Sequence, residues 1–231
     1  GIKKSKKKVK TAFLLYPDKL RSFLIWSIST KLRGKNMLLT TTPVQRVQRL
    51  TLIAILSAIS FGLMLFPQLP LIPGADFLKL DFSIVPIIIA LSWLGMTAAI
   101  WVVFLRTILK LILANEGVNT YLGLPVNVAV VLTFILVLGL MMSQKMQWHQ
   151  KLIAMVISVI AITVVAMIIN WLVAIPLYAT FANFDINRLI GIKTYLFGMV
   201  LPFNLIQGII WFVTGEIVKA SLTPLWQKIV S

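Results

Sequence analysis

The sequence contains no cysteine and few charged residues, and both scarcities limit what the chain can be. Without cysteine there is neither a disulfide nor thiolate chemistry. Asp, Glu, Lys and Arg make up only 12% of the 231 residues, whereas hydrophobic residues make up 59%. A water-soluble fold of this size carries a far more charged surface. The mean hydropathy of +0.97 therefore predicts a protein whose surroundings are largely lipid.

Acidic residues are scarcest where the basic residues are densest. Thirteen of the 22 lysines and arginines precede Leu50, and Asp18 is the only acid among them. The net charge of +16 therefore belongs mainly to the N-terminal segment, residues 1–43. A basic segment beside apolar spans is typical of the cytoplasmic side, and nucleic-acid binding is the competing interpretation. Within it, residues 17–32 have the pattern of a helix lying in the membrane interface, with a disordered leader as the alternative.

Sequence motifs for catalysis are also missing. There is no glycine-rich phosphate loop ending in Gly-Lys-Ser/Thr, so the chain is not expected to hydrolyse ATP itself. The single histidine, His149, lies in a polar stretch and fits a solvated surface position. No Cys, His, Asp or Glu cluster has the spacing of a metal site, and no Ser-His pairing suggests a protease. We therefore predict neither an enzyme nor a bound cofactor.

Long apolar runs predict an all-α, polytopic membrane protein with six transmembrane helices. The predicted spans cover 47–66, two segments between 84 and 114 that part near Gly95, then 121–142, 152–176 and 196–218. This six-helix domain is expected at 44–220, followed by a cytoplasmic tail at 221–231. An even number of spans, with the basic segment inside, places both termini in the cytoplasm.

Polar residues inside these spans are the informative positions, because each is costly in hydrocarbon unless it is paired or used. Arg106 and Lys110 lie four apart on one face of the third span; structural pairing or snorkelling is the plain interpretation. Four amides are expected at one depth in the outer half of the membrane: Asn127, Asn170, Asn204 and Gln207. Interhelical hydrogen bonds would explain any one of them. Together they favour a pocket for a polar ligand.

Aromatic residues flank the same zone: Trp171, Tyr178, Phe181, Tyr195, Phe197 and Phe203. An interfacial aromatic belt is the default explanation, and stacking on a flat ring ligand is the sharper one. In the first span, Ala54 and Ala58 form a pair of small residues four apart, which permits close approach of another helix.

Several segments resemble the riboflavin-specific S components of energy-coupling factor (ECF) transporters. The resemblance lies in Leu-Lys-Leu-Asp-Phe-Ser-Ile-Val-Pro at 78–86, Leu-Pro-Phe-Asn-Leu-Ile-Gln-Gly-Ile at 201–209, and Asn170 with Ala-Ile-Pro-Leu-Tyr at 174–178. The Ala54–Ala58 pair matches the first-helix motif of these proteins, and Gly-Leu-Pro-Val-Asn at 123–127 is a looser match. The resemblance covers about residues 44–220.

The resemblance implies a six-helix fold that binds a vitamin near the extracellular face, under a lid formed by the first loop. It implies that Asn127, Asn170 and Asn204 hydrogen-bond the flavin, and that lid residues contribute to the site: Lys79, Leu80, Asp81 and Phe82. The family commonly carries Lys where Gln207 stands. Gln lacks that charge, which favours riboflavin over flavin mononucleotide as the transported ligand.

The resemblance also implies partners and a location. Ala54 and Ala58 would dock on a transmembrane coupling subunit that carries two cytoplasmic ATPases, in a bacterial cell membrane. The basic N-terminal segment is not part of the family pattern. An S component for another vitamin, and a membrane scaffold or enzyme outside transport, remain the alternatives.

Overall fold

The structure is a computed structural model that describes residues 43–75, 77–141 and 146–230. The predicted interfacial helix at 17–32 lies outside these residues. The chain divides into two compact units, residues 1–48 and 49–231.

The described residues are almost entirely helical. The main helices are α1 (Pro43–Leu65), α2 (Ile84–Trp93), α3 (Met96–Leu113), α4 (Val118–Met141), α5 (Trp148–Ile169) and α8 (Leu201–Val230). Two short helices lie between α5 and α8: α6 (Ile175–Phe181) and α7 (Ile186–Leu189). Two π-helical segments, Asn170–Ala174 and Thr194–Val200, join α5 to α6 and lead into α8. Strands β1 (Leu69–Pro70) and β2 (Lys79–Leu80) pair antiparallel in the loop at 66–83, called here the L1 loop.

The all-α membrane architecture predicted from the apolar runs is confirmed. Among the described residues, five helical segments are long and apolar enough to cross a membrane: Gln45–Leu65, Met96–Leu113, Val118–Met141, Trp148–Phe181 and Thr194–Gln227. The remaining predicted span, the second along the chain, corresponds to α2, whose ten residues reach only about 15 Å. From Ile84 to Leu91 every residue of α2 is buried, so this short helix lies inside the bundle.

The predicted break between the second and third helices is also confirmed. Helix α2 ends at Trp93 and α3 begins at Met96. Gly95 turns the chain with φ +90°, a conformation that glycine adopts without steric cost. Arg49 of α1 donates a 3.0 Å hydrogen bond to the carbonyl oxygen of Leu94, which fixes α1 to this turn.

The last helix extends beyond the predicted span. Helix α8 continues to Val230, through most of the segment 221–231 that was predicted to be a cytoplasmic tail, and the cytoplasmic location of this segment stays a prediction. Beyond the end predicted at Val218, the ring of Trp226 stacks on Trp93, with centroids 4.8 Å apart and planes 9° from parallel. This contact gives the end of α8 a packing partner at the α2–α3 turn.

Candidate ligand-binding site

A cavity of about 600 Å³ opens between α3, α4, the α5–α6 segment, α8 and the L1 loop. This volume lies in the range of small-molecule sites. Apolar side chains such as Leu124, Val130 and Phe203 line part of the wall, and the rest is polar. A cavity with a mixed wall and a few convergent polar groups suits a ligand that has both an apolar body and polar edges.

The structure brings five of the predicted binding residues to this cavity: Lys79, Asn127, Asn170, Asn204 and Gln207. The four amides come from three different segments of the chain, which meet at the cavity. Asn170, Asn204 and Gln207 are buried. No hydrogen bond between described residues joins two of the four amides. Asn127 and Asn170 do each make one hydrogen bond between helical segments, to Arg106 and to Tyr195, as the alternative expected of single amides.

The other three predicted lid residues do not line the cavity. Side chains alternate along a strand, so in β2 the Lys79 side chain is exposed while Leu80 points to the core and is only 1% exposed. Asp81 is buried and takes part in a hydrogen-bond network behind the wall. Phe82 packs, partly buried, against the hydrophobic core. Their role in binding stays a prediction.

Protein contacts already occupy part of three of the four amides, and the contact of Asn127 is with Arg106. Asn170 Nδ2 donates to the carbonyl oxygen of Ala166 at 2.8 Å, and its Oδ1 accepts from the Tyr195 hydroxyl at 2.6 Å. Asn204 Nδ2 donates to the carbonyl oxygen of Val200 at 2.8 Å. In the described part of the chain, Gln207 makes no side-chain hydrogen bond. The remaining donors and acceptors are available to a ligand.

Arg106 lies directly behind Asn127. It is fully buried, and its Nη2 donates to Asn127 Oδ1 at 2.7 Å while Nη1 donates to the Ser83 hydroxyl. Ser83 Oγ donates in turn to Asp81 Oδ1 at 2.5 Å, and the Ser83 amide donates to the same oxygen at 2.9 Å. The charge of Asp81 thus balances that of Arg106 through Ser83. The pairing predicted for this intramembrane arginine is confirmed, and it connects the L1 loop to the cavity wall.

Lys110 and Glu116 form an ion pair where α3 leads into α4. Lys110 Nζ lies 2.7 Å from Glu116 Oε1, and both residues line the cavity. The Lys110 side chain is 9% exposed and that of Glu116 is 68% exposed. The hydrogen bond from Lys110 and its charge, with a smaller contribution from Lys79, hold the pKa of Glu116 below its ordinary value. The second intramembrane cation is therefore also paired.

The aromatic residues divide into two groups. Tyr178, Tyr195 and Phe203 line the cavity. Trp171, Phe181 and Phe197 are each more than half exposed, as expected of lipid-facing or interfacial rings. Phe77 of the L1 loop lies with its ring centroid 6.0 Å from that of Tyr195, so the loop contacts the π-helical segment that begins at Thr194.

Sequence reasoning missed some of the lining residues. Asn119, Thr120 and Glu116 lie in or beside the first turn of α4, Met64 lies in the last turn of α1, and Gln68 lies near the start of the L1 loop. Only Glu116 carries a detectable signal, as an acid spaced six residues from an intramembrane lysine.

Within the described ranges, no group of three or more His, Cys, Asp or Glu could hold a metal ion.

The predicted docking pair lies away from this cavity. Ala54 and Ala58 are both exposed on α1, next to Ile55 and Ile59, which are each 49% exposed. Ser57 between them is buried and donates to the Ile53 carbonyl oxygen at 2.6 Å. The small-residue face is therefore free to contact another helix, and its docking role stays a prediction.

Fold and cavity together define a multi-pass membrane protein with a pocket of small-molecule size. The family described as "ECF transporter, substrate-specific component" matches residues 48–218. The chain therefore belongs to the substrate-specific components of ECF transporters.

Several relatives carry more particular names. The riboflavin transporter RibU of Leuconostoc mesenteroides is 64% identical over 189 residues, covering 80% of this chain and 96% of that protein. RibU of Streptococcus thermophilus is 42% identical over 195 residues, covering 84% and 90%. The riboflavin transporter FmnP of Bacillus subtilis is 30% identical over 183 residues, covering 78% and 94%.

A solved S component of a bacterial ECF transporter has the same fold. It superposes with a TM-score of 0.65 at 27% sequence identity, and the match covers 79% of this chain and 99% of that chain. The ECF S-component fold predicted from sequence is thereby confirmed.

Proposed function

We propose that this chain is the riboflavin-binding component of an ECF importer. It captures riboflavin in the cavity and delivers it inward when it is assembled with a coupling subunit and two cytoplasmic ATPases. The observation that carries the proposal is the convergence of Asn127, Asn170, Asn204 and Gln207 on one 600 Å³ cavity in a protein of this family. Relatives that are named riboflavin transporters support the choice of ligand.

The cavity suits a neutral flavin. Gln207 brings no charge, and the cation of Lys110 is already paired with Glu116. A phosphate on the ligand would have to compete with Glu116 for that lysine, and the other cation among the described residues that line the cavity is the exposed Lys79. Riboflavin is therefore favoured over flavin mononucleotide. Riboflavin is the cargo, and the chain works as a transport component without a cofactor.

Titration with riboflavin in detergent tests the proposal. Flavin fluorescence is expected to be quenched at micromolar concentration, and mass spectrometry should find riboflavin in protein purified from rich medium. Flavin mononucleotide should bind more weakly in the same assay. Absence of quenching at micromolar riboflavin would rule out the ligand.

The proposed orientation has the N-terminus and the α4–α5 connection in the cytoplasm of a bacterial cell. It rests on the excess of basic residues on that side. The chain contains no cysteine, so single cysteines can be introduced at exposed positions. A membrane-impermeant maleimide added to intact cells should label Asn187→Cys and leave His149→Cys unlabelled. Labelling of His149→Cys but not of Asn187→Cys would show that the chain has the opposite orientation in the membrane.

A further inference from the structure

The hydrogen bonds of Arg106 have a consequence for ligand selection. Arg106 is fully buried and does not line the cavity, so it cannot act on a ligand by direct contact. Its two terminal nitrogens reach in different directions, one to Ser83 and the other to Asn127. Only a guanidinium offers two fixed donors for this purpose, because the ammonium of lysine is a single point.

Arg106 determines which end of the Asn127 amide faces the cavity. A guanidinium has donors and no acceptor, so the atom of Asn127 that lies 2.7 Å from Nη2 must be the carbonyl oxygen. Asn127 Nδ2 is left without a hydrogen bond to any described residue. Asn127 lines the cavity, so this amino group is the part of the side chain that a ligand meets.

The amide of Asn170 is oriented like that of Asn127, and different contacts hold it. Its Nδ2 faces the carbonyl oxygen of Ala166, which can only accept, and its Oδ1 is occupied by the Tyr195 hydroxyl. One N–H of Nδ2 remains available. Two amides from different segments therefore both present N–H groups to the cavity, and both have their carbonyl oxygens occupied by the protein.

We propose that Arg106 is a positioning residue that fixes Asn127 as a hydrogen-bond donor, so that the site selects a ligand with an acceptor atom at that place. The inference rests on the proposed function. The pyrimidine edge of a flavin carries such acceptors, namely carbonyl oxygens and ring nitrogens. A ligand with an N–H at this position would meet a second donor, and an unpaired buried donor is strongly disfavoured.

The variant Asn127→Asp tests whether the Asn127 amino group donates to the ligand or whether the side chain only stabilises the fold. Ionised aspartate has the shape of asparagine but only accepts, and it remains paired with Arg106. The variant is expected to unfold at the wild-type temperature or above, and to bind riboflavin more than tenfold more weakly. If Asn127 instead accepts a hydrogen bond from the ligand, the variant binds at least as tightly as wild type, and the inference is overturned.

A double-mutant cycle tests the action of Arg106 through Asn127. Arg106→Lys keeps the charge opposite Asp81 but cannot hold Ser83 and Asn127 together, so riboflavin affinity should fall several-fold. In an Asn127→Ala background the same change should leave affinity unaltered. If Arg106→Lys weakens riboflavin binding by the same factor in the Asn127→Ala background as in wild type, Arg106 does not act through Asn127 and the proposal is overturned. Arg188→Lys, at an exposed ion pair with Asp185, is the matched control and should bind as wild type.

Two outcomes remain distinguishable. A wild-type protein that fails to quench riboflavin fluorescence defeats the proposed function itself. A wild type that binds, together with an Asn127→Asp variant that binds equally, defeats only the role of Arg106. If Arg106→Lys does not fold, the Asn127→Asp measurement decides alone.

Discussion

Trp211 Nε1 donates a 3.0 Å hydrogen bond to the main-chain carbonyl oxygen of Asp81. Trp211 is fully buried in α8, and its ring meets Phe134 of α4 edge-on, with centroids 5.7 Å apart. Asp81 follows directly on β2. One side chain therefore fixes the end of the L1 loop to two helices that line the cavity.

Trp211→Phe should destabilise the protein. Phenylalanine keeps an aromatic ring beside Phe134 but removes the N–H, which leaves the buried oxygen of Asp81 without its donor. The expected loss is about 1–3 kcal/mol, measured by thermal unfolding in detergent. Trp101→Phe is the control, because Trp101 is 55% exposed and should tolerate the change. Equal effects of the two variants would show that the hydrogen bond to Asp81 does not stabilise the fold.

Asn204→Ala should weaken riboflavin binding with little loss of stability. Removing a buried amide that pairs with ligand costs about 1–3 kcal/mol, which is roughly 5- to 150-fold in affinity. Thr214→Val is the matched control. Thr214 also bonds the carbonyl oxygen four residues back in α8, at 2.6 Å, but it does not line the cavity. Fluorescence titration should show wild-type affinity for the threonine variant, and equal affinities would remove Asn204 from the site.

The ion pair between Lys110 and Glu116 should make stability depend on pH. The pKa of Glu116 is lower in the folded protein than its ordinary value of 4.5, so the unfolded chain binds more protons as the pH falls. The pair therefore stabilises the fold above about pH 4.5, and this contribution is lost as the pH falls through the lowered pKa. The effect is small, because Glu116 is largely exposed and screened by solvent.

Comparison with Glu116→Gln measures this effect. Wild type should have the higher unfolding temperature from pH 7 to 5, and the difference should shrink as the pH is lowered further. In a Lys110→Met background most of the difference should disappear at every pH. If the unfolding temperatures of wild type and Glu116→Gln differ as much at low pH as at neutral pH, the charge of Glu116 is not the cause of the stabilisation.

Span positions and intramembrane polar residues were predictable because both follow from the cost of polar groups in lipid. The turn at Gly95 and the need for Arg106 to have partners are examples. The identity of those partners was not predictable, since Ser83 and Asn127 lie 23 and 21 residues away in sequence and only packing brings them together. The π-helical segments were not predictable either, because they change the helical register without a distinct sequence pattern.

The lid residues show a different limit. The resemblance identified 79–82 as a block, but a strand presents alternate side chains to opposite faces. Lys79 therefore reaches the cavity while Leu80 enters the core. The register that decides this is set by the pairing of Leu69 with Leu80, which no local pattern in the proline-rich loop specifies.

Gly208 of α8 allows close packing against α5, and Gly208→Ala should destabilise the bundle. A Cβ at this position would lie 2.8 Å from Ile162 Cδ1 and 2.9 Å from Val159 Cγ2. Overpacking costs about 1–3 kcal/mol, which exceeds the roughly 1 kcal/mol that alanine gains over glycine in a helix. Gly62→Ala is the control and should raise the unfolding temperature, because nothing lies within 4 Å of its Cβ position. The same sign of change at both positions would contradict close packing at Gly208.

Ala58→Leu should separate ligand binding from assembly. Ala58 is exposed on α1 and does not line the cavity, so the variant should quench riboflavin fluorescence with wild-type affinity. Leucine adds bulk to a face that is proposed to pack closely against the coupling subunit, and small residues are what permit such approach. Co-purification with the coupling subunit and the ATPases should therefore be lost. Ala179→Leu makes the same change at an exposed position of α6 and should assemble normally. If Ala58→Leu also assembles normally, α1 does not present its Ala54–Ala58 face to the partner.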